Sequence, residues 1–149
     1  MYFDWRNDLL MRRNSFNQRR VHLSAHRSWF NKKLEDPRCF MYVLMKGKKP
    51  VGQVRFDLKG KAATIDVSVA KEQRGKSYGS GGIRLACRYL LRRPFVNKII
   101  AYVKKENIAS QKAFLNAGFA MSKRNCFIKG CEASRFEFAR IQNDKKYEK

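Results

Sequence analysis

The chain has 149 residues, 44% of them hydrophobic, which is the size of one compact domain and enough to bury a sizeable core. Thirty-four lysines and arginines stand against 12 aspartates and glutamates, a formal charge of +22, so an anionic ligand has to be accounted for. No apolar run approaches the roughly eighteen residues that span a bilayer, and the opening Met1-Tyr2-Phe3-Asp4-Trp5-Arg6 lacks a secretory apolar region; a cytoplasmic protein without a membrane partner is expected. Cys39, Cys87, Cys126 and Cys131 show neither Cys-x-x-Cys spacing nor a histidine in zinc-finger register, which predicts reduced, mostly buried thiols.

Taken in chain order, residues 2–13 and 22–35 read as helices, the second carrying Trp29, Phe30 and Leu34 on adjacent turns and stopped by Asp36-Pro37. Strands follow over 39–44, 50–58 and 62–69, separated by turns at Lys46-Gly47-Lys48 and Lys59-Gly60, an antiparallel meander. A loop and a helix come next, then a strand over 98–103, a helix over 108–117 and closing strands over 119–128 and 134–141. We expect one domain over 1–141 and a polar, frayed tail over 142–149.

If Lys59-Gly60 is a two-residue hairpin loop, Arg55 lies opposite Thr64 and Gln53 opposite Asp66. Alternation puts Val54, Phe56, Ile65, Val67 and Val69 on one face. The other carries Gln53, Arg55, Asp57, Thr64, Asp66 and Ser68, more polar than a surface covered by apolar helices. It is either a solvated face with an Arg55–Asp66 diagonal pair or the wall of a substrate cleft.

The stretch Val67-Ser68-Val69-Ala70-Lys71-Glu72-Gln73-Arg74-Gly75-Lys76-Ser77-Tyr78-Gly79-Ser80 enters the apolar-periodic segment at Ile83. It reads as strand, tight loop, helix. A glycine-bearing loop opening a helix gathers unpaired amides where the helix dipole also favours negative charge, a phosphate cradle. Its spacing fits neither the Walker loop nor the dinucleotide fingerprint.

Arg74-Gly75-Lys76-Ser77-Tyr78-Gly79 resembles the pyrophosphate loop of the GNAT superfamily of acyl-CoA-dependent N-acetyltransferases, Q/R-x-x-G-x-G/A. Where that pattern has its first glycine this chain has Ser77, so the loop has to be built with a Cβ there. Downstream, Ile99-Ile100-Ala101-Tyr102-Val103, then Asn107 and Ser110, Phe114, and Gly118-Phe119 follow the strand, Asn, Ser, aromatic and Gly-Phe series of the same family. The resemblance implies an α/β (α+β) fold, a mixed, mostly antiparallel sheet of about six strands flanked by about four helices. The strand that usually precedes the first helix is missing from this sequence: either the natural protein is longer, or the chain lacks that strand and the one at 40–44 becomes an edge, which we expect a second subunit to cover.

The resemblance also implies acetyl-CoA as cosubstrate. Arg74, Gly75, Lys76, Ser77, Tyr78, Gly79 and Ser80 would bind its diphosphate, the backbone of Val67, Ser68 and Val69 its pantetheine arm, and Asn107, Ser110 and Phe114 would stand near arm and thiol. Asp66 is the candidate base relay for the acceptor amine. Many members have tyrosine at Phe114, where its hydroxyl protonates the leaving thiolate. Phenylalanine cannot, leaving water, another tyrosine such as Tyr102, or no acid.

The opening Asp4-Trp5-Arg6-Asn7-Asp8, with His26-Arg27-Ser28-Trp29-Phe30 and Val51-Gly52-Gln53-Val54-Arg55, is similar to the subgroup that acetylates nucleotide-linked amino sugars, the pseudaminic-acid pathway N-acetyltransferases acting on a UDP-linked 4-amino sugar. Arg6, Asn7, Gln53 and Arg55 would then hold the anionic acceptor. A related Trp-Arg-Asn opening occurs in acetyltransferases of protein N-termini, and an idle GNAT-like domain binding nucleic acid or a protein is a further alternative. Basic residues are scattered over every segment, with no RNA-binding or helix-turn-helix signature, so the phosphates of CoA and substrate account for the charge better than nucleic acid. His22 and His26, four apart on one helix face, have acceptable metal spacing but only Cys39 as a remote third ligand, and no metal is expected.

Overall fold

The computed structural model describes residues 1–140; the last residue of the predicted closing strand and the tail lie outside the described residues. The helix expected over 2–13 is two helices, α1 (Tyr2–Asn7) and α2 (Leu9–Asn14). The break is chemical: Asp8 is extended (φ −55°, ψ 138°) and turns its carboxylate onto the Met11 amide at 3.0 Å as the N-cap of α2. Helix α3 (Leu23–Glu35) ends at Asp36, before Pro37.

The meander comprises β1 (Cys39–Lys46), β2 (Lys49–Lys59) and β3 (Ala62–Val69). Its second hairpin corrects the expected register. Gly60 and Lys61 form the loop, Lys59 faces Ala62, Arg55 faces Asp66 and Gln53 faces Ser68. Gly60 has φ +61°, and a two-residue turn with a left-handed first position calls for glycine there, which fixes the loop at Gly60-Lys61. The slip is two residues, one full period, so every side chain keeps the face alternation gave it.

A 3₁₀ turn (Lys71–Gln73) leads into α4 (Tyr78–Leu90), followed by β4 (Lys98–Lys104) and α5 (Ile108–Ala117). The strand expected over 119–128 is two short ones, β5 (Ala120–Met121) and β6 (Cys126–Ile128), both pairing with β7 (Cys131–Ala139). The sheet order is β1-β2-β3-β4-β7-β5, with β6 beside β7; β3 and β4 are parallel and all other pairs antiparallel. Among the described residues there are seven strands and five α-helices, in keeping with the mixed, mostly antiparallel sheet of about six strands and about four helices expected. Chain order starts with a helix, and β1 forms one edge of the sheet, as expected.

The core lies between the sheet and α4 and α5: Val54, Phe56 and Ile65 meet Ile83, Cys87 and Leu90, while Phe114 packs on Phe119 and Phe136. Each fully buried side chain of this size stabilises by about 1.5–3 kcal/mol. On the opposite face of the sheet α1 lies against β3 and α3 against β1, and Lys33 of α3 is ion-paired with Asp57.

Gly52 of β2 sits where a Cβ would lie 2.5 Å from the Ser68 carbonyl oxygen, which is main chain and cannot yield. Gly52→Ala is expected to cost about 2 kcal/mol, read as a lower midpoint in chemical denaturation.

Candidate active site

The parallel pairing of β3 and β4 runs only from Ala62–Lys98 to Thr64–Ile100, although both strands continue. Beyond Thr64 they diverge. On the β2 side the Ala70 amide donates to Val51 at 2.9 Å, so in an antiparallel ladder Ser68 and Asp66 also direct their main chain to β2. Ile65, Val67 and Val69 therefore turn theirs into the gap. The Val69 carbonyl accepts from Arg74 Nε at 3.2 Å; Val67 is left with a free main-chain edge.

This gap is the floor of a cleft of about 520 Å³, reaching from α2 past Asp66, Val67 and Val69 to the loop at Gly75, Ser77 and Gly79, and bounded by Tyr102, Asn107, Ser110 and Phe114. Among the described residues, no amide from Gly75 through Ser80 donates to a protein acceptor, and the Gly81 amide donates to Ser77 at 3.1 Å as the first bond of α4. Ser77 lies immediately before the helix with φ +62°, ψ 9°, and Gly75 has φ +74°. The loop is a ring of unpaired donors at a helix start, a fit for diphosphate.

A second cleft of about 430 Å³ opens over the polar face of β2 and β3, between Tyr2, Trp5 and Arg6 of α1, His26 and Trp29 of α3, and Lys129 of the β6–β7 turn. Asp66, Met11 and Ser15 line both clefts. The Asp66 carboxylate, half exposed, has its Oδ2 held by Gln53 Nε2 at 3.1 Å and by Arg55 at 3.7 Å. Two buried polar atoms of this cleft have no partner, Arg6 Nη1 and Gln53 Oε1.

Residues 1–120 match the family model of the acetyltransferase (GNAT) domain. The chain belongs to the GNAT family. It is accordingly an acetyl-CoA-dependent N-acetyltransferase, with acetyl-CoA as cosubstrate. The fold is that of the crystal structure of aminoglycoside acetyltransferase AAC(6')-Ib with coenzyme A (TM-score 0.81, 18% identity, 94% of this chain and 88% of that one). It is equally similar to the spermidine N-acetyltransferase from Vibrio cholerae with CoA and spermine (TM-score 0.80, 19% identity, 93% and 87%). Among curated proteins none matches the chain.

Within the GNAT frame the sequence-derived residues separate into groups. Val67, Val69, Gly75, Ser77, Tyr78, Gly79, Ser80, Asn107, Ser110 and Phe114 gather at the first cleft, while Arg6, Gln53, Arg55 and Ser68 gather at the second and Asp66 joins them. Ser68 departs from the expected pantetheine edge, since its main chain belongs to the β2 ladder and its hydroxyl accepts from Gln53 at 3.2 Å. Asn7 lines neither cleft: its amide exchanges two 2.9 Å bonds with the main chain of Val21. Lys76 also lines neither and donates to the Glu72 carbonyl. Arg74 lines the first cleft, but its guanidinium reaches Asp8 at 2.7 Å and binds α2 to the loop. Asn107 caps α5 through the Ser110 amide at 3.2 Å. Sequence reasoning missed Lys129; the turn dipeptide Lys129-Gly130 was its signal, overlooked because 119–128 read as one strand.

Local electrostatics follow from these contacts. Burial opposes ionisation of Asp8, but the Arg74 hydrogen bond and the Met11 amide outweigh it and hold its pKa below the ordinary value. Burial likewise lowers the pKa of His26, assisted by the charges of Arg6 and the N-terminus, so the imidazole is held neutral among Phe3, Trp29 and Phe30. Among the described residues no group of three metal-ligating side chains forms. Arg55 is kept charged against burial by Asp66 and Asp57, and its guanidinium lies 5.2 Å from the Trp29 ring centre.

A left-handed residue with a Cβ costs about 1–2 kcal/mol, so Ser77→Gly should raise the unfolding midpoint by the equivalent of about 1 kcal/mol without weakening acetyl-CoA binding in a calorimetric titration. A depressed carboxylate contributes stability above its ordinary pKa of 3.8 and loses it as pH falls from there through the folded-state value. Asp8→Asn keeps a capping oxygen and removes the charge. It should cost about 1 kcal/mol at pH 7, and denaturation curves of the two proteins should converge below about pH 3.8.

Proposed function

We propose that the chain acetylates the primary amine of an anionic acceptor, a nucleotide-linked amino sugar of the UDP-4-amino-deoxy kind. What carries this reading is the convergence at Asp66 of two clefts, one floored by unpaired main chain and phosphate-type donors, the other ringed by Arg6, Arg55 and Lys129. The structural neighbours hold spermine or aminoglycosides, amines rich in positive charge. Arg6 and Lys129, which have no carboxylate partner among the described residues, would repel such molecules and attract a diphosphate. Arg6 Nη1 supplies an unused donor for it, and Gln53 Oε1 an unused acceptor for a sugar hydroxyl or amine. Trp5 and Trp29 add flat apolar walls.

Acetyl-CoA supplies an acyl group already activated as a thioester. What remains for the residues is to place an amine against it and move protons. Asp66 is built for the first transfer, because Gln53 and Arg55 fix one carboxylate oxygen and leave Oδ1 to accept the ammonium proton, directly or through water. The Val67 amide, turned into the gap, is the donor suited to a developing oxyanion. Phe114 is buried against Phe119 and Phe136 and offers no proton; the Tyr102 hydroxyl on the cleft wall, or water, takes that role for the leaving thiolate.

Mixed with acetyl-CoA and a UDP-linked 4-amino sugar, the protein should release free thiol. Asp66→Asn should slow release about a hundredfold while acetyl-CoA affinity stays the same, and Lys129→Ala should raise KM for the sugar nucleotide more than it lowers kcat. Thiol release with a peptide N-terminus or spermine but not with the sugar nucleotide would overturn the acceptor.

A further inference from the structure

Neither cleft uses the far end of α4. Between Glu72 and Glu106 the sequence has no acidic residue, and Arg84, Arg88 and Arg92 follow at four-residue intervals, all exposed. Arg84 donates to the Asn116 carbonyl, but among the described residues Arg88, Arg92 and Arg93 have no carboxylate partner. Arg84 and Arg88 stand one turn apart on α4, where like charges destabilise a helix, and no carboxylate among the described residues offsets that. Aromatic rings lie between these cations. Arg92 sits 6.0 Å from the ring centre of Tyr89, Tyr89 packs edge-on against Tyr42, Arg93 lies 4.8 Å over Phe40, and Phe40 stacks on Phe95. Tyr89 and Phe95 are nevertheless 52% and 43% exposed.

We propose that this face, Arg88, Tyr89, Arg92, Arg93 and Phe95, binds single-stranded nucleic acid, the arginines on phosphates and the two rings under unstacked bases. Charge decides the occupant. A second copy of the chain would set these arginines against their own equivalents, and an amphipathic acidic helix would leave the ring faces without a flat partner. A single strand supplies both phosphates and exposed bases. A duplex supplies only the phosphates, so the rings favour the unpaired strand. The inference is independent of the acceptor assignment, because none of these residues lines either cleft.

The test is fluorescence anisotropy of the full chain with a labelled mixed-sequence oligonucleotide of about twelve nucleotides, as single-stranded RNA, as single-stranded DNA and as duplex in separate arms, with poly-glutamate as competitor. The single strand should bind tighter than the duplex, with a log–log salt slope of about −2 for three phosphates. Tyr89→Leu, which keeps an apolar contact on Tyr42, combined with Phe95→Ser, should weaken single-strand binding about tenfold or more at an unchanged slope. Replacing Arg88, Arg92 and Arg93 by glutamine should flatten the slope, and both variants should retain acetyl transfer and a single cooperative thermal transition. Equal affinity for single strand and duplex, or strand binding indifferent to both variants, overturns the assignment. Displacement of the strand from this face by poly-glutamate at equal charge concentration would assign it to an acidic protein instead.

Discussion

Two parallel strands that part company after three residue pairs create the condition on which the rest of this structure depends. A sheet normally consumes its main-chain donors and acceptors, and leaving them bare inside a fold is costly. Here β3 and β4 stop pairing at Thr64 and Ile100, and the inner edge at Val67 is left facing a cleft. That same divergence lets α4 start beside the cleft, so the unpaired amides of Gly75 through Ser80 lie along one continuous groove with the strand edge. A long, partly peptide-like ligand with a phosphate end is what such a groove accommodates.

A sheet split in this way needs fastening across the gap, and two charged contacts supply it. Arg74, in the loop, holds the N-cap of α2 through Asp8. Lys104, buried at the end of β4, donates to the Arg13 carbonyl at the other end of α2. An ammonium at that depth has given up most of its water, so its carbonyl partner is an obligatory one. Between these ties α2 places Met11 and Ser15 where the two clefts adjoin. Arg74 is thus a strut, and what the loop leaves free at the cleft is its main-chain amides.

The charge of +22 has several destinations. Some cations serve as struts or caps: Arg140 donates to the carbonyls of Leu91, Arg93 and Val96 where α4 ends. Others, Arg6, Arg55 and Lys129, line the second cleft. Those at the far end of α4 belong to neither group, and an exposed ring beside an unpaired arginine recurs there.

Local chemistry made much of this legible from sequence. The strand, loop and helix at 67–90 were readable because glycine placement and apolar period are short-range properties, and the faces of β2 and β3 survived a wrong hairpin register because a slip of two preserves alternation. The break at Asp8 escaped because its capping carboxylate is fixed by Arg74 as well as by the nearby Met11 amide, and the division of 119–128 into β5 and β6 escaped because strand pairing is settled by partners elsewhere in the chain. The residues themselves therefore determined the fold class, the glycine-bearing loop that opens α4 and the polar sheet face that carries Asp66. Tertiary structure alone decided that Asn7 is spent on Val21, that Arg74 is tied to Asp8, and that a turn lysine at 129 reaches the cleft begun by Arg6. A hydrogen-bonding group serves whichever partner the fold brings within about 3 Å, and that partner is set by the path of the whole chain.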